Sequence, residues 1–152
     1  MMSITRLAQD DRGASIIELA LVAPILASLL IGMVDLSRAY SHKLMLEQAA
    51  QRAIEKVQQY QASTSTYTTL QTEAAAAAGV PVGNVGIDYW LECNGVRAAD
   101  YNSVCPGGQA YERRVLVEVY DTFSPMFRSR RWPGANTDGT FTLNGKAGMR
   151  TQ

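Results

Sequence analysis

The chain has 152 residues, a length that suits one domain with an appendage. Its 14 Lys and Arg residues balance its 14 Asp and Glu residues, so it lacks the basic excess of a nucleic-acid binder, and no nucleic acid is expected as a partner. The single histidine, His42, excludes a metal centre built on several imidazoles, and no cofactor is expected.

Residues 1–13, MMSITRLAQDDRG, are short and hydrophilic. Residues 14–34, ASIIELALVAPILASLLIGMV, are apolar except for one charge, Glu18. As a helix this run spans ~32 Å at about 1.5 Å per residue. A bilayer core ~30 Å thick requires ~20 such residues, so the run is read as a transmembrane helix. A secretory signal peptide has a shorter apolar stretch followed by a small-residue cleavage site. Here the run passes directly into Asp35-Leu36-Ser37-Arg38. A buried helix of a soluble protein would need a larger body around it than the rest of the chain supplies.

Two residues inside the run are costly. Pro24 lacks a backbone N–H and meets the carbonyl four residues earlier, which predicts a kink. Glu18 places a carboxylate within the apolar stretch, where charged groups are expensive and functional by default.

From Leu36 onward the pattern is amphipathic. Leu36, Tyr40 and Leu44 step by four, and Leu46, Ala50, Ile54 and Val57 step by three or four. The helix is therefore expected to continue over 35–59, with its stripe packed on its own domain, the alternative being a groove for a partner helix. Residues 60–66 read as a polar linker. A second helix is expected at about 66–78, stopped by Gly79 and Pro81. Three strands follow, at 85–92, 114–120 and 140–149, each with apolar residues at period two. The economical arrangement is a small antiparallel sheet packed against the helix, an α+β fold.

Two cysteines, Cys93 and Cys105, lie in the C-terminal part. They would pair in an oxidising compartment and stay free in the cytosol. Arg128, Arg130 and Arg131 cluster beside Trp132, a segment that reads as a solvated loop or as a contact for acidic headgroups or a partner. The chain has no glycine-rich phosphate loop, nucleophile elbow, C-x-x-C or histidine-based metal motif, and no catalytic residue is assigned.

Gly13, then Ala14-Ser15-Ile16-Ile17, then Glu18 at the head of a long apolar helix, resembles the processing site of type IV prepilins. The longer string RGASIIELALVAPILASLLIGMVDLSRAY, with Pro24 six residues after the glutamate, is similar to the TadE/TadG-like pseudopilins of tight-adherence (Flp, type IVc) pilus systems. The Ala-rich continuation LEQAAQRAIEKV and the C-terminal GTFTLNGKAGMRTQ are similar as well.

This resemblance implies that 1–13 is a leader, cut between Gly13 and Ala14 by a prepilin peptidase. Residues 14–34 are then the transmembrane and assembly helix, and 60–152 a small pilin-like extracytoplasmic α+β domain. Glu18, fifth in the mature chain, would pair with the new α-amine of a neighbouring subunit, since a buried carboxylate is far less costly when paired. The helix would sit in the bacterial inner membrane, N-terminus in the cytoplasm and C-terminal domain outside it, where Cys93 and Cys105 pair. The implied partners are other pilin-like subunits, the inner-membrane pilus assembly platform and membrane lipid. Major pilins of such systems have almost no globular domain, so a minor subunit with a structural or priming role in pilus biogenesis and surface adhesion is expected, not an enzyme. The alternative is an uncleaved, signal-anchored periplasmic binding or scaffold protein in which Glu18 is incidental.

Overall fold

The computed structural model of the chain describes residues 11–59 and 64–151. The expected leader up to residue 10 and the expected linker over 60–63 lie outside the described residues. Helix α1 runs over Asp11–Gln59, with Pro24 inside it. The chain divides into two compact units, with the boundary between Arg38 and Ala39.

The first unit holds the apolar part of α1. Its large side chains are exposed, including Ile16, Leu21, Ile25 and Leu30. The helix does not end at the proline, and Ser28 Oγ donates to the Ile25 carbonyl at 2.8 Å, one turn further on. Arg38 and Asp35, one turn apart, form an ion pair at 3.5 Å just past the apolar run.

The second unit begins with the last part of α1. Helix α2 spans Thr64–Ala78, starting two residues earlier than expected. Its end follows from sequence: Gly79 takes φ +67, the Gly79 N–H donates to the Ala76 carbonyl, and the Val80 N–H to the Ala75 carbonyl. These are the two bonds of a Schellman cap, which glycine adopts at no steric cost. After a 3₁₀ turn over Val82–Asn84 come four strands: β1 (Val85–Cys93), β2 (Val96–Arg97), β3 (Tyr111–Phe123) and β4 (Phe141–Arg150). The sheet is antiparallel in the order β2-β1-β3-β4.

The three expected strands are therefore β1, β3 and β4; β1 and β3 are longer than the alternation alone indicated, and β4 is shifted by one residue. The fourth, β2, is new. It pairs with the end of β1 through a two-residue turn in which Asn94 and Gly95 have φ of 50 and 80. That positive pair is the type I′ geometry whose twist matches a hairpin.

The core forms between one face of the sheet and the two helices. Leu46, Ala50 and Ile54 of α1 meet Leu70 and Ala74 of α2 over the inward valines of β3, Val115, Val117 and Val119. Alanines on both helices keep the layers close. Gly145 on β4 lies directly against the backbone of Leu46 and Glu47.

Candidate assembly helix and its supporting domain

The residues singled out from sequence fall in three places. The Gly13–Ala14 bond lies in the first turn of α1. Glu18 is exposed among exposed apolar neighbours, and none of the ion pairs among the described residues involves it. Pro24 lies on the same apolar stretch. A helix with a mostly apolar circumference over this length is stable only when buried in a protein core or embedded in a membrane. Among the described residues one helix is long and apolar enough to cross a membrane, and its apolar window is wholly unburied by its own chain.

The apolar stripe beyond residue 34 splits in two. Leu46 and Ala50 are fully buried and Ile54 nearly so, as expected for packing on the domain. Leu36 and Tyr40 are 72% and 62% exposed, and Leu44 also remains accessible. The expectation of one stripe packed on its own domain holds only from Leu46 onward. The side chain of Val57 lies outside the described residues.

The start of the packed portion is fixed by His42, whose Nε2 lies 2.9 Å from Asp121 Oδ2 on β3. Its ring also meets Phe123 edge-on, with centroids 6.5 Å apart. Further along, Lys56 reaches Glu73 of α2 at 2.5 Å.

Cys93 and Cys105 form a disulfide with a Cα–Cα distance of 5.6 Å. It fastens the loop after β2 to the end of β1, where Cys93 pairs with Tyr111. Asn94 ties the same end: its N–H donates to the Ala110 carbonyl at 2.8 Å, and its side-chain carbonyl accepts the Ala110 N–H at 3.0 Å. Beside the bridge lies a shallow cavity of about 370 Å³, lined by Leu91, Tyr111, Arg113 and the Pro106-Gly107-Gly108 turn. Ser103, also on its wall, donates its hydroxyl to the Asp100 carbonyl.

The sheet face away from the helices carries cross-strand charge. Glu118 and Lys146 are directly opposed and pair at 2.5 Å. The Tyr120 hydroxyl donates to the same carboxylate. These two bonds, Lys146 first, hold Glu118 below the usual carboxylate range. In return Glu118 raises the ammonium of Lys146 and the phenol of Tyr120 above their ordinary values. Nearer the disulfide, Glu112 accepts from Arg114 at 2.8 Å and from Arg150 at 3.0 Å. Arg97 forks onto both oxygens of Asp88 and lies over the Trp90 ring.

Among the described residues no group of three or more His, Cys, Asp or Glu side chains converges as a metal site would require. What the arrangement provides is an exposed apolar helix with one carboxylate, held by a small, well-tied domain. Sequence reasoning missed the division of the apolar stripe and the role of Gly145. The hairpin signal Asn94-Gly95 was present in the sequence.

No curated protein and no solved structure matches the chain. Residues 13–54 match the family model described as TadE-like protein. The matched stretch begins at Gly13 and closes at Ile54, a buried residue of α1. It takes in Glu18, Pro24, the exposed residues Leu36, Tyr40 and Leu44, and the packed segment. Residues 13–54 of this chain are thus similar to the TadE-like family.

Proposed function

We propose that the protein is a minor pilin-like subunit of a tight-adherence pilus, structural and not enzymatic, which primes or supports filament assembly and so surface adhesion. A prepilin peptidase cuts between Gly13 and Ala14. The helix inserts in the inner membrane with its N-terminus in the cytoplasm and the α+β domain outside. Assembly proceeds through α1 against other pilin-like subunits on the inner-membrane platform. Glu18 pairs there with the α-amine that cleavage exposes on a neighbour, and Pro24 shapes the apolar helix between them.

The observation that carries this reading is the exposed apolar surface of α1, continuing past membrane length to Leu36, Tyr40 and Leu44. A plain anchor has no need of apolar residues beyond the bilayer, whereas a helix that packs against sister helices does. The disulfide agrees with a domain outside the cytoplasm, since such bonds persist in oxidising compartments.

The test is the mature N-terminus, read by mass spectrometry of membrane-extracted protein from a host carrying the cognate peptidase. A chain beginning at Ala14 is expected. A chain retaining residues 1–13 overturns the reading in favour of a signal-anchored periplasmic protein. Glu18→Ala is expected to leave cleavage intact and to abolish most filament incorporation, while a plain anchor would lose nothing.

A further inference from the structure

The sheet of the C-terminal unit ends in two edges of different character. β4 is one edge. On the other side β2 pairs with β1 only at Glu92 and Cys93, and the Ala98 N–H meets the Leu91 carbonyl just beyond. Gln71 of α2 takes the Val85 carbonyl at 2.7 Å. Between these points, around Ile87 and Asp88, no strand among the described residues lies on the outer side of β1. An open edge is a template for further pairing, and proteins usually guard it with proline, a bulge or a charge kept on the edge. β4 has no proline, and its register against β3 runs from Phe141 to Arg150 without a bulge. Its two cations bend onto their own sheet, Lys146 to Glu118 and Arg150 to Glu112.

The hydrogen-bond parity of the two edges decides how they could meet. In an antiparallel pair, alternate residues turn their N–H and C=O toward the partner. The Thr151 N–H donates to the Arg113 carbonyl, which sets the odd-numbered residues of β4 against β3 and turns the backbone of Asn144, Lys146 and Gly148 outward. The Asn94 N–H donates to the Ala110 carbonyl, which sets the even-numbered residues of β1 against β3 and turns the backbone of Ile87 outward. A second copy can therefore lay its β4 parallel to β1, with Ile87 donating to the Asn144 carbonyl and accepting from the Lys146 N–H. In that register odd residues stand beside odd residues, so both sheets keep their core faces on the same side. It also brings Asp88 alongside Lys146 at the strand spacing of about 5 Å. Asp88 already accepts the Arg97 fork, and a carboxylate has room for a further donor.

Charge selects this pairing over the others. β4 carries Lys146 and Arg150 and no acid, whereas β1 carries Asp88 and Glu92 and no cation. Two β4 edges together would set cations beside cations, and two β1 edges acids beside acids, and like charges side by side destabilise a pair. Only β4 against β1 is complementary. We propose that β4 of one copy of this chain adds to the open start of β1 of a second copy, so that the sheet continues from one domain into the next. The two surfaces differ, so the contact is head-to-tail and can repeat without closing. It belongs to the C-terminal unit and goes beyond the role proposed for α1, on which it does not depend.

The test mixes equal amounts of unlabelled and heavy-nitrogen full-length chain in detergent, at about 1 mM, the effective concentration of neighbours on one support. A carbodiimide then joins carboxylates to lysines in contact, and the linked peptides are read by mass spectrometry. The link from Lys146 to Glu118 within one chain shows that the reagent reaches the sheet. The expected result is a further link from Lys146 to Asp88 that carries both isotopes and therefore joins two copies. Asn144→Pro blocks the edge at an outward N–H and leaves the ladder to β3 intact. It should keep the melting temperature and the Glu118 link and lose the link between copies. Heavy Asn144→Pro chain mixed with unlabelled Asp88→Lys chain should regain it, from heavy Asp88 to unlabelled Lys146, because each variant keeps the edge that the other lacks. No mixed-isotope link between Asp88 and Lys146 in the natural chain overturns the proposal, as do links between copies from Lys43 or Lys56 alone, which would place the contact on α1. A link that persists undiminished in Asn144→Pro reduces the contact to charge without strand pairing, and a mixture that stays unlinked overturns the head-to-tail order. The natural chain decides the contact by itself, however the variants fold.

Discussion

Gly145 of β4 lies against the backbone of Leu46 on α1. A Cβ added at 145 would lie 2.6 Å from the Leu46 carbonyl oxygen, and closer still to its carbonyl carbon and to the Glu47 nitrogen. The contact is backbone against backbone, so no side chain can rotate out of the way. Gly145→Ala is expected to destabilise the domain by about 1–3 kcal/mol, the usual cost of overpacking. Gly86→Ala, on the same sheet with open space around its Cβ, is the control and should be neutral. Thermal unfolding followed by circular dichroism in detergent compares the two. Equal melting temperatures would show that helix and strand do not meet this closely.

That contact also shows where sequence stops being informative. Helix α1, the stop of α2 at Gly79 and the three longer strands were legible because each has a local signature: an apolar run, a glycine after alanines, a period of two. Strand β2 has only Val96 and Arg97, too short to show a period, although Asn94-Gly95 announced the turn before it. Gly145 reads locally as a weak point in a strand. Its role depends on Leu46, far away in sequence, which no local pattern links to it. The same holds for the stripe of α1: Leu36, Tyr40, Leu44, Leu46, Ala50 and Ile54 share one spacing, and only the tertiary contacts divide exposed from buried. Glu18 stood out because a carboxylate in an apolar run is costly, and the partner proposed for it belongs to a neighbouring subunit.

The disulfide closes the loop at the end of the sheet away from His42, where the short β2 offers little pairing of its own. Replacing both cysteines by serine should lower unfolding stability by about 2–4 kcal/mol, the range for natural bridges. In urea the midpoint should fall, and reductant should reproduce the effect in the natural protein but not in the variant. An unchanged midpoint would show that the bridge does not constrain the chain.

The ion pair of Glu118 with Lys146 predicts stability that depends on pH at both extremes. Glu118 is held below its ordinary value, so its contribution is complete above the unfolded carboxylate pKa of about 4.3. It is lost as pH falls below that value through the folded one. Lys146 is raised, so its contribution is complete below the unfolded pKa of about 10.4, and disappears as pH rises through the folded value. Both limbs describe one interaction and do not add. Glu118→Gln should therefore lower the melting temperature most near neutrality, where the pair is intact, and so flatten the profile across both ranges. A variant that keeps the natural profile would place the acid sensitivity elsewhere.

The two halves of the α1 stripe should separate stability from assembly. Leu46 and Ile54 fill the core, so Leu46→Ala and Ile54→Ala should each cost about 2–5 kcal/mol as cavities open. Leu36 and Tyr40 are exposed, and Leu36→Ala and Tyr40→Ala should shift stability by less than about 0.5 kcal/mol. If these residues pack against sister helices, the same two variants should incorporate poorly into pelletable filaments although they fold, insert and are cleaved normally. The pair of readouts discriminates: loss of filaments with an unchanged melting temperature assigns the exposed stripe to assembly. Normal incorporation of both variants would confine the assembly surface to the membrane-spanning run, and the apolar residues past Val34 would then have no partner in the filament.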